Sequence, residues 1–335
     1  MNYAIIGCGL IGKKRLAGLP AGSKLVVACD PNFARAEELV RQANGGRAVA
    51  DFKQAVVDPK VDAVIVATVN SALAEVSAAA IRAGKPVLVE KPAGTSVKQI
   101  EELITLTDKH GVCVRVGFNH RYHPAFIKAQ EILKSGVVGK LMFIRARYGH
   151  GGRVGYDQEW RANPKLSGGG ELIDQGIHLI DLAGWFLGEF TRVDGHATTY
   201  FWNMAVDDNA FLSLRTAQGQ TAWLHVSCTE WKNLFSFEIY GRDAKLHIEG
   251  LGRSYGRERL YHYQMKPEMG TPDTKLYEFP GPDESWQLEL AEFEKDIQLK
   301  RKLDAGLKEA KAALKIVEEI YRRSGFDFDS VSTKP

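Results

Sequence analysis

The feature that most constrains the fold of this chain is a glycine-rich hexapeptide near its first residue, Gly7 to Gly12, with the pattern Gly-x-Gly-x-x-Gly. It follows a short apolar run, Tyr3–Ile6, that predicts a strand, and it opens a helical pattern over Leu10–Leu19. In a βαβ unit the first glycine permits the tight turn and the second lets the backbone approach a pyrophosphate. The third lets the helix pack closely on the strand. The alternative is a strand-to-helix turn that binds nothing.

This hexapeptide, together with the end of the next predicted strand, indicates a nicotinamide dinucleotide site. The candidate cofactor contacts at this helix start, where free N–H groups face phosphates, are Gly7, Gly9, Leu10, Ile11 and Gly12. Asp30 ends the strand Lys24–Cys29, about 20 residues further on, where a carboxylate hydrogen-bonds the ribose hydroxyls of adenosine. Because its charge would repel a 2′-phosphate, we expect NAD and regard NADP as less favoured. A simple turn residue before Pro31 is the alternative interpretation of Asp30.

The first half of the chain alternates between apolar runs and helical patterns. The predicted strands are Tyr3–Ile6, Lys24–Cys29, Asp62–Ala67, Pro86–Val89 and Val112–Gly117. The helices predicted between them are Leu10–Leu19, Phe33–Gln42, Leu73–Arg82 and Val97–His110. Strands buried on both faces are continuous apolar runs, so this alternation predicts a parallel sheet covered by helices.

The second half predicts an antiparallel sheet, because its apolar residues alternate with polar ones. The predicted elements are a helix over Pro124–Ser135, a strand over Leu141–Tyr148, a loop over 149–168, an amphipathic helix over Gly170–Leu187, strands near 191–202, 208–217, 220–228, 234–240 and 244–249, and helices over Trp286–Lys300 and Gly306–Arg322. The predicted fold class is α/β. Residues 1–121 form a Rossmann domain with a parallel sheet, and residues 122–335 form an α+β domain with an open, mostly antiparallel sheet.

Composition excludes several classes of protein. With 44% hydrophobic and 25% charged residues and a formal net charge of +3, the chain has an ordinary globular balance. Its densest cationic cluster, Lys13-Lys14-Arg15, falls at a predicted helix start, where we expect a solvated face rather than a nucleic-acid site. Four cysteines without a Cys-x-x-Cys pair indicate neither disulfides nor a metal site. No apolar stretch is long enough for a signal peptide or a membrane span, so we expect a cytoplasmic protein without membrane partners.

Three further motifs give the chain a family resemblance. They are Glu90-Lys91-Pro92, the run from Gly117 to Arg121, and the glycine-led run from Ser167 to Asp181. With the hexapeptide they resemble the Gfo/Idh/MocA oxidoreductases, which include glucose–fructose oxidoreductase and inositol dehydrogenase, over nearly the whole chain. The resemblance implies a sugar, polyol or sugar derivative as substrate, and a homodimer or homotetramer formed through the exposed face of the C-terminal sheet. It also implies further cofactor contacts at Ala67, Thr68, Asn70, Glu90 and Lys91.

Three residues are candidates for catalysis. Oxidising an alcohol needs a hydride acceptor, a base for the hydroxyl proton and a group that stabilises charge on oxygen. Lys91 follows a parallel strand at the edge where open α/β sheets bind ligands, and its ammonium group can hydrogen-bond the reacting oxygen. Asp174 and His178 are four residues apart on a predicted helix and therefore share a face. We expect His178 to transfer the proton and Asp174 to orient it, to bind a neighbouring hydroxyl, or both. A solvated lysine and a helix-stabilising polar pair are the alternatives.

Further polar and aromatic residues are predicted to contact the substrate. These candidates are Asn119, Arg121, Arg153, Tyr156, Trp160 and Arg161. A structural role for Arg121 and a plain surface loop at 149–168 are equally good interpretations. Asp181 is expected to be structural, as a buried partner of backbone or of an arginine.

The leading functional prediction is an NAD-dependent dehydrogenase that acts on a secondary hydroxyl of a sugar, a cyclitol, or a nucleotide- or phosphate-linked sugar. A second prediction is an epimerase or redox-assisted glycosidase that retains NAD and returns the hydride. A third is a non-catalytic NAD-binding regulatory protein on the same fold. The presence of Lys91, Asp174 and His178 argues against the third.

Overall fold

The computed structural model describes residues 1–301 and 303–328. In the first half, strands and helices alternate in this order: β1 (Asn2–Ile6), α1 (Leu10–Ala17), β2 (Lys24–Cys29), α2 (Phe33–Gln42), β3 (Arg47–Val49), α3 (Phe52–Val56), β4 (Ala63–Val66), α4 (Asn70–Arg82), β5 (Val87–Glu90), α5 (Val97–His110) and β6 (Val114–Gly117). The strands form a six-stranded sheet in the order β3-β2-β1-β4-β5-β6, and every pair is parallel. This is the doubly wound arrangement that the alternating pattern predicts.

The second half begins with a 3-10 turn, Asn119–Tyr122, and continues with the following elements: α6 (Pro124–Lys134), β7 (Leu141–Gly149), α7 (Pro164–Ser167), a π-helical segment (Leu172–Gly176), α8 (Ile177–Leu187), β8 (Phe190–Thr198), β9 (Asn209–Thr216), β10 (Thr221–Ser227), β11 (Leu234–Gly241), β12 (Ala244–Glu249), β13 (Glu258–Gln264), β14 (Asp273–Phe279), α9 (Ser285–Leu299) and α10 (Leu307–Ser324). The strands form an eight-stranded sheet in the order β14-β13-β12-β11-β7-β10-β9-β8. Only β7 and β10 pair in parallel among its described strands, so the sheet is mostly antiparallel, as predicted.

The structure corrects one predicted element that carries candidate catalytic residues. The sequence predicts a single amphipathic helix over Gly170–Leu187. The structure has the π-helical segment instead of regular α-helix over Leu172–Gly176, and α8 begins only at Ile177. Every residue from Ile177 to Ala183 is buried, so α8 is not amphipathic. A helix buried on all sides has no polar face for periodicity to reveal.

Contacts divide the chain into two compact units that differ from the boundaries predicted from sequence. The first consists of Met1–Asn119, Leu166–Gly168 and Trp286–Leu314. The second consists of His120–Lys165, Gly169–Ser285 and the described residues from Lys315 onward. The sequence assigned 286–314 to the second domain.

The core of the first unit explains why α9 belongs to it. Tyr3, Ile65 and Leu88 of the parallel sheet form one buried cluster with Leu290 and Phe293 of α9. Each such side chain stabilises the fold by roughly 1.5–3 kcal/mol when it leaves water.

Among the described residues, no helix has both the length and the apolar character to cross a membrane.

Candidate active site

The glycine hexapeptide forms the turn between β1 and α1. Gly7 has φ +95°, and a Cβ there would lie 2.3 Å from the carbonyl oxygen of Ala67. A Cβ on Gly12 would lie 2.1 Å from the carbonyl oxygen of Gly7, so helix and strand touch as the pattern requires. At Gly9 nothing lies within 4 Å of an added Cβ. The loop is thus tightly packed at its first and third glycines and open at its second.

This geometry fits the pyrophosphate of a dinucleotide. Leu10 and Ile11 begin α1, where the first N–H groups have no acceptor inside the helix. These N–H groups and the positive end of the helix dipole favour an anion beside the open Gly9 position.

Asp30 is buried and braces the glycine loop. One carboxylate oxygen accepts the N–H of Cys8 at 2.9 Å, and the other accepts the N–H of Asn32, also at 2.9 Å. Asp30 therefore acts as a turn residue, which was the alternative interpretation. Each carboxylate oxygen retains a second acceptor site, so contact with a ribose stays a prediction.

The residues after β4 continue the same edge of the sheet. The Ala67 N–H donates to the carbonyl oxygen of Ile6 at 2.7 Å, and Thr68 follows it. Asn70 is the first residue of α4, is buried, and donates from Nδ2 to the carbonyl oxygen of Ser167 at 2.9 Å. The side chain of Asn70 thus ties the start of α4 to the short segment 166–168.

Glu90 is the last residue of β5, and Lys91 follows it. The Glu90 carboxylate is buried and accepts a hydrogen bond from Nε of Arg15 at 2.6 Å. Arg15 is fully buried, so the predicted solvated face of Lys13-Lys14-Arg15 is wrong for this residue. The hydrophobic pattern of the sequence did not indicate that Arg15 is buried, because an arginine is rarely buried unless it is paired with a carboxylate.

In the second unit, His178 lies near the start of α8 and only 4% of its surface is exposed. Its ring stacks on that of His120, with centroids 3.7 Å apart and planes 14° from parallel. His120 Nε2 lies 3.1 Å from the hydroxyl of Tyr148. Burial raises the pKa of Tyr148 well above its ordinary value, so this phenol stays protonated. The sequence motif contains His120, but nothing in it predicted a stacking contact.

Asp174 lies in the π-helical segment and is held by Arg161. Nε of Arg161 donates to Oδ2 of Asp174 at 3.0 Å. Burial opposes the charge on Arg161, but the neighbouring Asp174 outweighs burial and raises the pKa of the guanidinium. The guanidinium also lies 4.6 Å from the ring centroid of Trp160. The structure therefore brings three of the predicted residues together.

The other predicted substrate residues fall into different environments. Arg121 forms a buried bidentate pair with Asp181, at 2.8 and 2.6 Å, which is the structural alternative for Arg121 and the expected role of Asp181. Arg153 is exposed and pairs with Glu159 at 2.7 Å. Tyr156 is buried, and so is Asn119, which lies at the start of the 3-10 turn.

Asp207 anchors the glycine-led segment and was not predicted from the sequence. Its two carboxylate oxygens accept the N–H groups of Gly170 at 2.9 Å and Leu172 at 2.7 Å. A Cβ on Gly170 would lie 1.9 Å from the Asp207 carbonyl oxygen, which explains this glycine. Asp207 thus fixes the start of the segment that carries Asp174 and His178.

Comparisons with known proteins agree with this fold. The sequence model described as "Oxidoreductase family, NAD-binding Rossmann fold" matches residues 1–118, and the GFO/IDH/MocA C-terminal domain matches residues 126–247. A structure titled "Levoglucosan dehydrogenase, complex with NADH" superposes with a TM-score of 0.86 at 22% identity, over 97% of this chain and 98% of that chain.

Two curated relatives are enzymes of cyclitols by name. "Inositol 2-dehydrogenase 2" of Saccharopolyspora erythraea is 30% identical over 65% of this chain and 64% of its own length. "scyllo-inositol 2-dehydrogenase (NAD(+))" of Bacillus subtilis is 32% identical over 58% of this chain and 57% of its own length. The matched segments thus span less than two thirds of these relatives. The two family matches cover the parallel sheet and most of the antiparallel one, and the chain belongs to the GFO/IDH/MocA oxidoreductase family, with an NAD-binding Rossmann domain as its first part.

Proposed function

We propose that this protein is an NAD-dependent dehydrogenase that interconverts a secondary hydroxyl and a ketone on a sugar or cyclitol. The observation that carries the proposal is the setting of His178, a buried imidazole that stacks on His120, whose Nε2 lies beside the Tyr148 hydroxyl. Asp174, four residues before His178, is paired with Arg161. The names of the inositol dehydrogenase relatives support a polyhydroxylated substrate.

In this proposal Lys91 and His178 share the handling of the reacting hydroxyl. Bound NAD supplies the hydride acceptor. The Lys91 ammonium donates a hydrogen bond to the substrate oxygen and so stabilises negative charge on it. The His178 imidazole takes the hydroxyl proton during oxidation and returns it during reduction, since a neutral imidazole suits proton transfer near neutral pH.

Asp174 and its neighbours are proposed to bind the rest of the substrate. Arg161 holds the Asp174 carboxylate in place, and a carboxylate is a natural acceptor for a substrate hydroxyl. Trp160, which stacks with Arg161, offers a ring face suited to a sugar. Arg121 leaves this set because Asp181 occupies its guanidinium, whereas Arg153, Tyr156 and Asn119 stay candidates.

The cofactor preference is proposed to be NAD over NADP. Asp30 places a buried carboxylate beside the glycine loop, and a 2′-phosphate near it would meet like-charge repulsion.

Self-association is proposed through the open face of the eight-stranded sheet. Phe143 of β7 and Trp223 of β10 lie on this face and are 38% and 51% exposed. Exposed apolar side chains of this size are typical of protein interfaces. A dimer or tetramer in analytical ultracentrifugation, and its dissociation by Trp223→Glu, is the expected result; a monomeric wild-type protein would contradict it.

The decisive experiment is a substrate screen. Purified protein with NAD is tested against cyclitols, free sugars, sugar phosphates and nucleotide sugars, while NADH absorbance and product composition are both followed. NADH formation with a cyclitol or sugar supports the proposal. Conversion of a substrate without net NADH would point instead to a redox-neutral enzyme, and no conversion of any class would overturn the proposal.

A further inference from the structure

The first unit contains a buried ion cluster that joins α1, β5 and α9. Arg15 of α1 contacts Oε1 of Glu90 through Nη2 at 2.6 Å and Oε2 of Glu289 through Nη1 at 2.7 Å. The side chains of Arg15 and Glu289 are fully buried, and that of Glu90 is nearly so. One guanidinium thus links a residue of α9 to the last residue of β5.

Neighbouring residues are shaped to hold this cluster. The Trp286 ring of α9 lies 4.6 Å from the Arg15 guanidinium. Gly117, at the end of β6, leaves room for the cluster, because a Cβ there would lie 2.7 Å from Nη2 of Arg15 and 3.1 Å from Oε2 of Glu90. The Trp286 ring therefore borders the Arg15 guanidinium on one side, and the backbone at Gly117 borders it on another.

Stability alone does not account for a buried cluster of this kind. Removing three charged groups from water is costly, and replacing such a triad by apolar side chains is often neutral or stabilising. The apolar contacts of Leu290 and Phe293 already attach α9 to the sheet. What an ion cluster adds is a fixed geometry for the groups it ties together.

The position of Glu90 shows which geometry is fixed. Glu90 ends β5, and Lys91 is the next residue. Because Glu90 cannot shift without breaking contacts with Arg15, the backbone that carries Lys91 is held as well. The geometry points to Arg15 and Glu289 as positioning residues that act through Glu90 to set the placement of Lys91. This inference rests on the proposed role of Lys91.

The charge balance of the cluster makes this positioning sensitive to pH. The charged groups that face Glu289 are Arg15 of α1, Glu90 of β5 and Arg115 of β6. Burial raises the pKa of Glu289 to about 7, against the opposing effect of Arg15. Glu289 therefore gains its negative charge near neutral pH, and Glu289→Gln resembles the protonated form.

The test compares three proteins with wild type. Glu289→Gln changes the charge and keeps the shape. The triple variant Arg15→Met, Glu90→Leu, Glu289→Leu replaces the cluster with apolar groups. Glu292→Gln, on the same helix but with its carboxylate paired with Lys295 and Arg301 and not with Arg15, is the matched control. The measurements are melting temperature, NADH dissociation constant, kcat against pH, and the ¹³C-methyl NMR signal of dimethylated Lys91, assigned with Lys91→Arg, in the protein without NAD.

The expected results separate positioning from stability. In Glu289→Gln, kcat matches wild type below about pH 6 and differs by several-fold above about pH 8, and the Lys91 signal loses its pH-dependent shift around neutrality. The triple variant keeps its melting temperature. Because Glu90 is also a predicted cofactor contact, the kcat of this variant is measured at a saturating concentration of NAD, and this kcat falls roughly ten- to a hundredfold, as expected for a misplaced catalytic group.

Two results would overturn the inference. One is a wild-type Lys91 signal and pH profile in Glu289→Gln; the other is wild-type kcat in the triple variant. If Lys91→Ala loses activity while these variants do not, only the positioning role fails. If Lys91→Ala keeps full activity, the proposed role of Lys91 itself fails, and the positioning role with it.

Discussion

The rings of His120 and His178 are stacked with their centroids 3.7 Å apart and their planes 14° from parallel. Two imidazoles in this arrangement cannot both carry a positive charge without strong repulsion. The stack therefore fixes the plane of His178 and disfavours a state in which both rings are protonated.

The stack predicts different effects for two substitutions of His120. His120→Phe keeps a flat ring against His178, whereas His120→Asn removes it. We expect kcat to fall about tenfold in His120→Asn through loss of orientation, and to fall less in His120→Phe. Steady-state kinetics with NADH binding as a control tests this; equal kcat in both variants would show that stacking is unimportant.

Lys91→Ala and His178→Ala are each expected to lower kcat by roughly a hundredfold or more, the usual contribution of an acid–base group. NADH binding, measured by fluorescence, should persist because the glycine loop, which neither substitution changes, holds the pyrophosphate, although Lys91→Ala also removes a predicted cofactor contact. Lys134→Ala and His110→Ala, at exposed positions of α6 and α5, are matched controls. An active Lys91→Ala or His178→Ala protein would remove that residue from the mechanism.

Replacing Asp30 by Ser and Pro31 by Arg should shift the cofactor preference towards NADP. The exchange removes the carboxylate that repels a 2′-phosphate and adds a guanidinium that binds it. Serine retains an acceptor for the Cys8 N–H, which limits damage to the loop. The ratio of kcat/KM for NAD and NADP measures the effect, and an unchanged ratio means that Asp30 does not contact the ribose.

Asp207→Asn should destabilise the protein by about 1–3 kcal/mol. An amide has one oxygen, so it cannot accept both the Gly170 and the Leu172 N–H, and its NH₂ group faces a donor. Urea unfolding gives the free energy, with the exposed Asp194→Asn as control. Equal stabilities of the two variants would argue against the anchoring role of Asp207.

The hydrogen bonds that Arg145 and Lys245 donate to Glu238 predict that the fold loses stability as the pH falls. Burial acts to raise the pKa of Glu238, but hydrogen bonds from Arg145 and Lys245 outweigh it and lower the pKa from 4.5 to about 2. A carboxyl group with a lowered pKa stabilises the fold above about pH 4.5 and loses this contribution as the pH falls towards 2. In Glu238→Gln the melting temperature should therefore fall less steeply in this window.

Differential scanning calorimetry between pH 2 and 7 measures this effect. Glu278→Gln is the control, because its pair with Arg259 is exposed at the surface and contributes little in salt. An equal fall in melting temperature between pH 4.5 and pH 2 in wild type and Glu238→Gln would contradict the prediction.

The sequence predicted those parts of the fold that local pattern determines. Lys24–Cys29, Phe33–Gln42 and Val97–His110 have the predicted bounds, because strong periodicity and clear breakers surround them. β3 is only three residues long, and β14 is exposed along most of its length, so neither has a sufficient apolar signal.

The candidate site divides in the same way. The glycine loop, and the place of Asp30 beside it, could be predicted because their spacing follows from one local βαβ unit, whereas contact of Asp30 with a ribose stays a prediction. The partners of Glu90 and Asp174 could not, since Arg15 and Arg161 reach them through tertiary structure that no local pattern encodes.

The docking of α9 on the parallel sheet also bears on how the chain folds during synthesis. Leu290, Phe293 and Glu289 complete the interior of the first unit, yet the ribosome makes them long after β6. At about 5–20 residues per second, the nascent first unit waits on the order of ten seconds or more with an apolar surface and a buried-arginine site unfilled. A fragment that ends near residue 121 would keep that surface permanently exposed, so we expect it to be less stable than the complete first unit.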